Sequence, residues 1–290
     1  MTDVYTLGEP LGVVSSGRVR HESEARLDVC GPEFTLAVGL SRLGHRSAYL
    51  GKVGDDELGA RAVTVLRGEG VDVADMRVAE GARTALLLRE SRVGREPKTV
   101  HYRAGSAGSL LAPGNVPIDR VAAARMLHVT GVTAALGRDA LEAVRIAVSA
   151  ARNAGVPVSF AVEYAPELWP SVREAEEVLG ELACESRLLF VRQDDLDLVK
   201  PALTPEREVV VDRGAKGVTV RADRMRYDVQ GWQVPVVDTA GAGEAFAAGY
   251  ISAALDGLIP QERLHRGALM SAAAVSSVSD WQGLPTRSEL

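Results

Sequence analysis

Short apolar runs alternate with longer amphipathic segments along almost all of the 290-residue chain, and this alternation limits the fold more than any other feature. The runs Val4–Leu7, Ser47–Val53, Met126–Thr130, Pro157–Ala161, Leu188–Val191, Val209–Asp212 and Gly217–Arg221 are bounded by Gly, Asp or Pro and predict strands. Apolar residues at three-and-four spacing predict helices over Phe34–Leu43, Glu57–Glu69, Asp139–Ala154, Val172–Cys184, Ala240–Leu255 and Pro260–Ser277. Several of these end at glycine, at Gly44, Gly70, Gly155 and Gly257. Strands alternating with helices imply an α/β fold: a mainly parallel sheet with helices on both faces. Residues 12–29 and 84–103 break the rhythm, being more polar, β-prone and rich in arginine. Within the second, Leu86–Glu90 and Thr99–Arg103 read as strands joined by the turn-like Val93–Lys98. The two stretches predict a small β lid beside the main sheet. With no internal repeat, low-complexity tract or linker, residues 1–290 read as one domain carrying that lid.

Charge and cysteine content exclude several classes. Thirty-three basic against thirty-nine acidic residues give a net charge of −6, without the basic face expected of a nucleic-acid binder. Cys30 and Cys184 are too few for a disulfide framework or a four-cysteine zinc site, and the five histidines lack ligand spacing. The opening MTDVYTLGEP has neither a basic nor an apolar leader region, and no apolar run approaches the ~20 residues of a membrane span. A cytoplasmic protein with no membrane or nucleic-acid partner is the expectation.

The strongest local signal is Val236-Val237-Asp238-Thr239-Ala240-Gly241-Ala242-Gly243-Glu244-Ala245-Phe246-Ala247-Ala248-Gly249, where small residues run straight into an apolar helix. Unpaired N–H groups at such a helix start form an anion site, and the missing side chains let a phosphate approach the backbone. Glu244, next in the chain, is placed to take a proton from a hydroxyl held there. The same residues also describe a helix capped by Thr239 with an acidic first turn. The Lys and Ser/Thr of a P-loop are missing.

The run Asp238 to Gly249 resembles the Asp-Thr-x-Gly-Ala-Gly-Asp-x-Phe-x-x-Gly signature of the ribokinase (PfkB-type) carbohydrate kinases, and within them the chain is most similar to the 2-keto-3-deoxygluconate kinases. The similarity continues through Thr6-Leu7-Gly8-Glu9-Pro10, Ala37–Gly44, Gly51–Gly59, Tyr102–Ala107, His128–Val132, Leu168-Trp169, Arg213–Val218 and Gly283–Thr286. It implies a ribokinase-like, doubly wound sheet with a β lid over a sugar site, and ATP and Mg²⁺ as cofactors. By the same resemblance Arg213, Gly214 and Gly217 bind nucleotide, and the amides of Gly241, Ala242 and Gly243 stabilise the transferring phosphoryl group. Glu244 stands at the catalytic base, and Asp238 orders the loop and the waters of the metal. Gly31, Glu33, Thr35, His101 and Arg103 fall at substrate positions and Asp195 at a metal position. Gly249 joins Gly214, Gly217, Gly241 and Gly243 as a glycine where phosphates are expected to approach.

Departures from the family pattern fall on the sugar pocket. Glu244 replaces an aspartate and carries its charge one methylene farther, about 1.5 Å, a shift on the order of 100-fold in rate unless the pocket compensates. The Gly-Gly-x-x-x-Asn stretch reads Cys30-Gly31-Pro32-Glu33-Phe34-Thr35, and Phe-Asp-Pro-Asn-Tyr-Arg reads Phe160-Ala161-Val162-Glu163-Tyr164-Ala165. Asn-x-x-Glu becomes Arg192-Gln193-Asp194-Asp195, with Arg192 read as a surface residue or a source of positive charge. In the lid, Ala85-Leu86 follows Thr84 and His101 replaces a tyrosine. Asp55-Asp56-Glu57 reads as a turn and acidic helix start, and the basic Arg83–Lys98 stretch as a solvated flap. The expectation is an ATP-dependent kinase acting on a hydroxyl of a sugar, sugar acid or sugar-like small molecule other than 2-keto-3-deoxygluconate. The alternative is a catalytically impaired protein of this fold that binds nucleotide or sugar in a regulatory or scaffold role. The lid is the expected surface of a homodimer.

Overall fold

The computed structural model describes residues 1–92, 95–231 and 234–290. The chain opens with β1 (Val4–Leu7), the lid strands β2 (Leu11–Ser16) and β3 (Arg26–Cys30), and α1 (Pro32–Arg42). Then come β4 (Ser47–Gly54), α2 (Glu57–Gly68), β5 (Asp72–Ala79) and two more lid strands, β6 (Ala85–Arg92) and β7 (Arg95–Tyr102). The middle holds α3 (Ile118–Ala122), β8 (Met126–Thr130), the short α4 (Gly131–Ala134), α5 (Arg138–Asn153), β9 (Val158–Ala161), α6 (Val172–Cys184) and β10 (Leu188–Arg192). The last part is β11 (Glu208–Asp212), β12 (Val218–Ala222), β13 (Met225–Val229), α7 (Ala242–Leu255) and α8 (Pro260–Val275).

Nine strands form one sheet in the order β13-β12-β11-β10-β9-β8-β1-β4-β5. All pairs from β11 to β5 are parallel, and only β11–β12 and β12–β13 run antiparallel. Residue alternation along the strands explains why helices cover both faces. Tyr5, Leu127, Val129, Phe160, Leu189 and Val191 pack against α5 and α6, whereas Val4, Met126, Phe190 and Val210 pack against α1, α7 and α8. On the first face α5 meets the sheet with Ala140, Ala143, Val144, Ala147, Val148 and Ala151, small residues at helical spacing that let it lie close.

The lid is a four-stranded sheet, β3-β2-β6-β7, in which β2 pairs in parallel with β6. Leu11, Val13, Cys30, Ala85 and Leu87 give it a small apolar cluster of its own. The expected turn Val93–Lys98 falls partly outside the described residues, and β7 already begins at Arg95. Asp56 caps α2, as its sequence position predicts, by accepting the Gly59 N–H at 2.8 Å. The same carboxylate also accepts the Thr84 N–H and hydroxyl, each at 2.7 Å, and so anchors the start of β6 to the body. Among the described residues no helix is long and apolar enough to cross a membrane.

Candidate active site

Strand order reverses around β1, whose neighbours β4 and β8 belong to opposite halves of the sheet, and ligands of doubly wound folds bind where such a reversal opens a crevice at the strand C-termini. Gly8 and Glu9 follow β1 there, Thr130 ends β8 and Glu163 lies just past β9. The lid arches over this end, and the start of α7 closes its side.

The loop before α7 is shaped by glycine. Gly241 has φ 76° and caps the helix, and a Cβ on it would stand 2.0 Å from the Asp280 carbonyl oxygen. Only glycine fits both constraints. A Cβ on Gly243 would meet nothing within 4 Å, so that side of the loop faces open space. Asp238 folds the loop back by accepting the Ala240 N–H at 3.0 Å. Gly241→Ala is expected to push the loop off Asp280 and lower kcat on the order of 100-fold with a much smaller change in melting temperature, as steady-state assays and thermal melts will show.

Arg89 of β6 reaches down from the lid into this loop. Its guanidinium donates to Asp280 at 2.8 and 3.2 Å and lies 3.5 Å from Asp238, with side chains only about a tenth exposed. Arg89 shares a strand face with Ala85 and Leu87, all three buried, so the period of two that builds the lid's apolar cluster also aims this charge inward. A second tie joins the lid to the C-terminal segment: Asp28 accepts from Gln282 Nε2 at 2.9 Å, and Trp281 Nε1 donates to the Val29 carbonyl at 2.8 Å. The gap left between lid and loop is about 10 Å³, room for one water at most. Cys30 is buried there beside Asp280, and burial pushes its thiol up, which removes it as a nucleophile.

Three carboxylates near this loop feel one another's charge. Glu33, in the first turn of α1, is 0 % exposed; its Oε1 accepts the hydroxyls of Thr130 and Thr133, each at 2.5 Å. Its Oε2 lies over the α-carbon of Gly8 without a partner. Glu163 has a left-handed backbone (φ 38°), rare for a residue with a side chain, and its Oε2 is also buried without a partner. Glu244 stands in the first turn of α7, its carboxylate turned back toward its own N–H, and no ion pair holds it among the described residues. Burial pushes the Glu244 carboxyl up to about 7, with the Asp280 and Glu33 charges adding to the effect. Burial raises the Glu163 carboxyl well above the usual range, and the Glu244 and Glu33 charges raise it further.

The other expected site residues have varied surroundings. Arg103, its side chain 12 % exposed, donates from Nε and Nη2 to Glu9 at 2.9 and 2.5 Å, and Glu9 also accepts from Ser106. Gly31 (φ 146°) sits 2.7 Å, measured from a Cβ placed on it, from the Glu9 carbonyl oxygen, so its missing side chain lets α1 start against the site. Thr35 is buried one turn on, and His101 is exposed on β7 opposite Leu87. Arg213 pairs with Asp228 at 3.3 Å while its Nε is buried without a partner, and Gly214 opens a turn closed by Asp212.

Two glycines expected to face phosphate also make room for packing: a Cβ on Gly217 would lie 2.0 Å from the Val229 carbonyl, and one on Gly249 would lie 2.7 Å from that of Arg266 in α8. Asp195 is buried and held by Arg192 at 2.6 Å, and no three His, Cys, Asp or Glu side chains are grouped to hold a metal among the described residues. Arg192 is a surface residue, its side chain 57 % exposed, whose charge is engaged by Asp195 and which also donates to the Tyr164 carbonyl. Sequence reasoning did not single out Arg89, and it quoted Glu9 only within a matching segment. A surface cavity of about 630 Å³ lies elsewhere, lined in part by Leu258, His265 and Leu269.

Over residues 5–287 the chain matches the family model of the pfkB family carbohydrate kinases. It belongs to that family. This pfkB-family chain is 32 % identical over 304 residues to a 2-dehydro-3-deoxygluconokinase of Bacillus subtilis, covering 99 % of this chain and 94 % of that one. It is 33 % identical to a probable chloroplastic fructokinase-6 of Arabidopsis thaliana, across 86 % and 68 % of the two chains. A crystal structure of a PfkB protein from Polaromonas superposes with a TM-score of 0.88 at 29 % identity, covering 100 % and 99 % of the two chains. A putative ribokinase II of Escherichia coli, crystallised with ATP and Mg²⁺, shares the fold at TM-score 0.90 and 20 % identity, covering 100 % and 97 %.

Proposed function

We propose that this pfkB-family chain transfers the terminal phosphoryl group of ATP to a hydroxyl of a sugar-like small molecule. Glu244 carries the reading: an unpaired carboxylate in the first turn of α7, beside a glycine loop open on the side of Gly243. Glu244 takes the hydroxyl proton while that oxygen forms its bond to phosphorus and the bond to ADP breaks. The amides of Gly241, Ala242 and Gly243 and the dipole of α7 face the charge that develops on the phosphoryl oxygens. Asp238 and Arg89 hold the loop in place.

The nucleotide lies on the side of Arg213 and Gly214, and the unpartnered Arg213 Nε is a donor that a phosphate or ring acceptor satisfies. Mg²⁺ enters as part of the nucleotide, because the described residues offer no acidic cage and this ion is usually held by phosphates, waters and one or two carboxylates. Ala165 and Glu163 make the pocket a poor host for a sugar acid, so a substrate other than 2-keto-3-deoxygluconate is favoured.

ADP formation measured with Mg-ATP and a panel of sugars, polyols, nucleosides and sugar acids tests this reading; absence of ADP with every compound overturns it. The pH profile is a second check. A carboxyl raised to about 7 is protonated in acid, so kcat is expected to rise about tenfold per pH unit below that point and to level off above it. Stability moves the opposite way. The unfolded chain releases this proton near 4.5 and the folded one near 7, so the stabilisation from Glu244 is complete below 4.5 and is lost as pH climbs through 7.

A further inference from the structure

The glycine loop before α7 is gripped at two points, and one lid arginine reaches both. Asp238 holds the loop's own fold by accepting the Ala240 N–H at 3.0 Å through Oδ1. The Asp280 carbonyl packs against Gly241, where a Cβ would stand 2.0 Å from it. Arg89 spans the two: Nη2 donates to both carboxylate oxygens of Asp280 at 2.8 and 3.2 Å, and Nη1 lies 3.5 Å from Oδ2 of Asp238. One oxygen of Asp238 therefore serves the loop and the other the lid. Only about 10 Å³ remains between lid and loop here, so no water layer buffers one from the other.

Arg89 rides on β6, whose start is anchored to the body by the Thr84 N–H and hydroxyl on Asp56, each at 2.7 Å. A lid that rises to admit a ligand carries the guanidinium away from both aspartates. Burial raises the Asp280 carboxyl, Arg89 is the main opposing influence, and the Asp238 charge raises it further. Two buried carboxylates that shared a guanidinium then either separate or take up a proton, and both outcomes loosen the grip on Gly241. The same charge acts on Glu244, where it opposes burial and the charges of Asp280 and Glu33. Loop and base both depend on a lid that is down.

We infer that Arg89 is a positioning residue that makes the glycine loop conditional on the lid. The loop is set when the guanidinium is seated between Asp238 and Asp280, and slack when it is withdrawn. ATP cleavage then waits for an acceptor under the closed lid, and hydrolysis by water to ADP and phosphate stays slow. The coupling of lid to loop rests on Arg89 and its two aspartates; its consequence for ATP rests on the kinase reading.

Hydrogen exchange followed by mass spectrometry tests the coupling without substrate. Thr84→Val loosens β6 at the end away from the loop. It is expected to speed exchange of the β6 peptide and, about fivefold, that of residues 238–246. Arg89→Leu is expected to speed the loop at least as much, and Thr84→Val added to it changes the loop by less than about twofold. A β6 peptide that speeds up while the loop keeps its rate overturns the coupling, and so do effects that multiply in the double variant. Asp56→Ala loosens the same end if Thr84→Val leaves the β6 peptide unchanged. The single Thr84→Val comparison decides the matter if Arg89→Leu does not fold.

ADP release with and without the fastest acceptor of the sugar panel is the second arm. Wild-type protein is expected to show about 100-fold stimulation or more by the acceptor. Arg89→Leu is expected to bring this within about fivefold with the KM for ATP changed less than about twofold, and Arg89→Lys to restore part of it. Stimulation retained within about threefold overturns the proposal, as does an equal loss of both rates, which marks a merely structural arginine. No ADP with any compound overturns the kinase reading alone and leaves the exchange result to decide the coupling.

Discussion

Replacing Glu244 with glutamine is expected to lower kcat by about 10³-fold while the KM for ATP stays within about twofold. The substitution keeps the shape and removes only the proton acceptor. Because Glu244 makes no ion pair among the described residues, the melting temperature should hold or rise slightly. The companion variant Glu244→Asp tells whether the pocket is built around the longer side chain. It withdraws the carboxylate by about 1.5 Å and is expected to cost on the order of 100-fold. Steady-state ADP release with the best acceptor measures both. An active Glu244→Gln protein removes Glu244 as the base, and a faster Glu244→Asp protein shows a pocket still shaped for aspartate.

The largest expected loss of stability is at Arg89. Arg89→Leu leaves Asp280 and Asp238 without their buried partner, and breaking such a pair from one side costs about 3–5 kcal/mol. Burial already raises the Asp280 carboxyl, with Arg89 the main opposing charge, so removing the arginine drives it further toward the neutral form. Urea titration reads the loss. A change under about 1 kcal/mol shows that water, rather than the guanidinium, supports the two aspartates. Activity should fall with it, because the same arginine ties the lid to the loop that carries Gly241 and Glu244.

The body of the fold was legible because its strands are buried on both faces and carry continuous apolar runs. Val4–Leu7, Met126–Thr130 and Val172–Cys184 appear at their expected bounds. The β5 and β13 edges were not read. Asp72–Ala79 and Met225–Val229 are largely exposed and mix charged with apolar residues, so no pattern of burial marks them. The glycine loop and Glu244 stood out because their positions are adjacent in the chain. The mutual charge effect of Glu33, Glu163 and Glu244 did not, since the three lie on segments distant in the chain. Arg89 was readable in principle. It follows Leu87 by two residues, so a strand with Leu87 inward must also carry Arg89 inward, yet the basic character of the stretch suggested a solvated flap. At Gly217 and Gly249 the packing need was not legible for a related reason: a glycine that makes room for a phosphate and one that makes room for a neighbouring carbonyl look the same in sequence.

The parallel pairing of β2 with β6 has a consequence for the order in which the chain acquires its structure. Between those strands the chain builds α1, β4, α2 and β5, so the central ladder of the lid closes a long loop, Gly12 against Leu86, only after that unit has docked. Its apolar cluster of Leu11, Val13, Cys30, Ala85 and Leu87 is too small to assemble alone. The lid is therefore a late-forming, early-melting part of the molecule, held by Arg89 and Asp56 at its two ends. Competence to enclose a ligand arrives after the sheet is complete and is lost before the sheet melts.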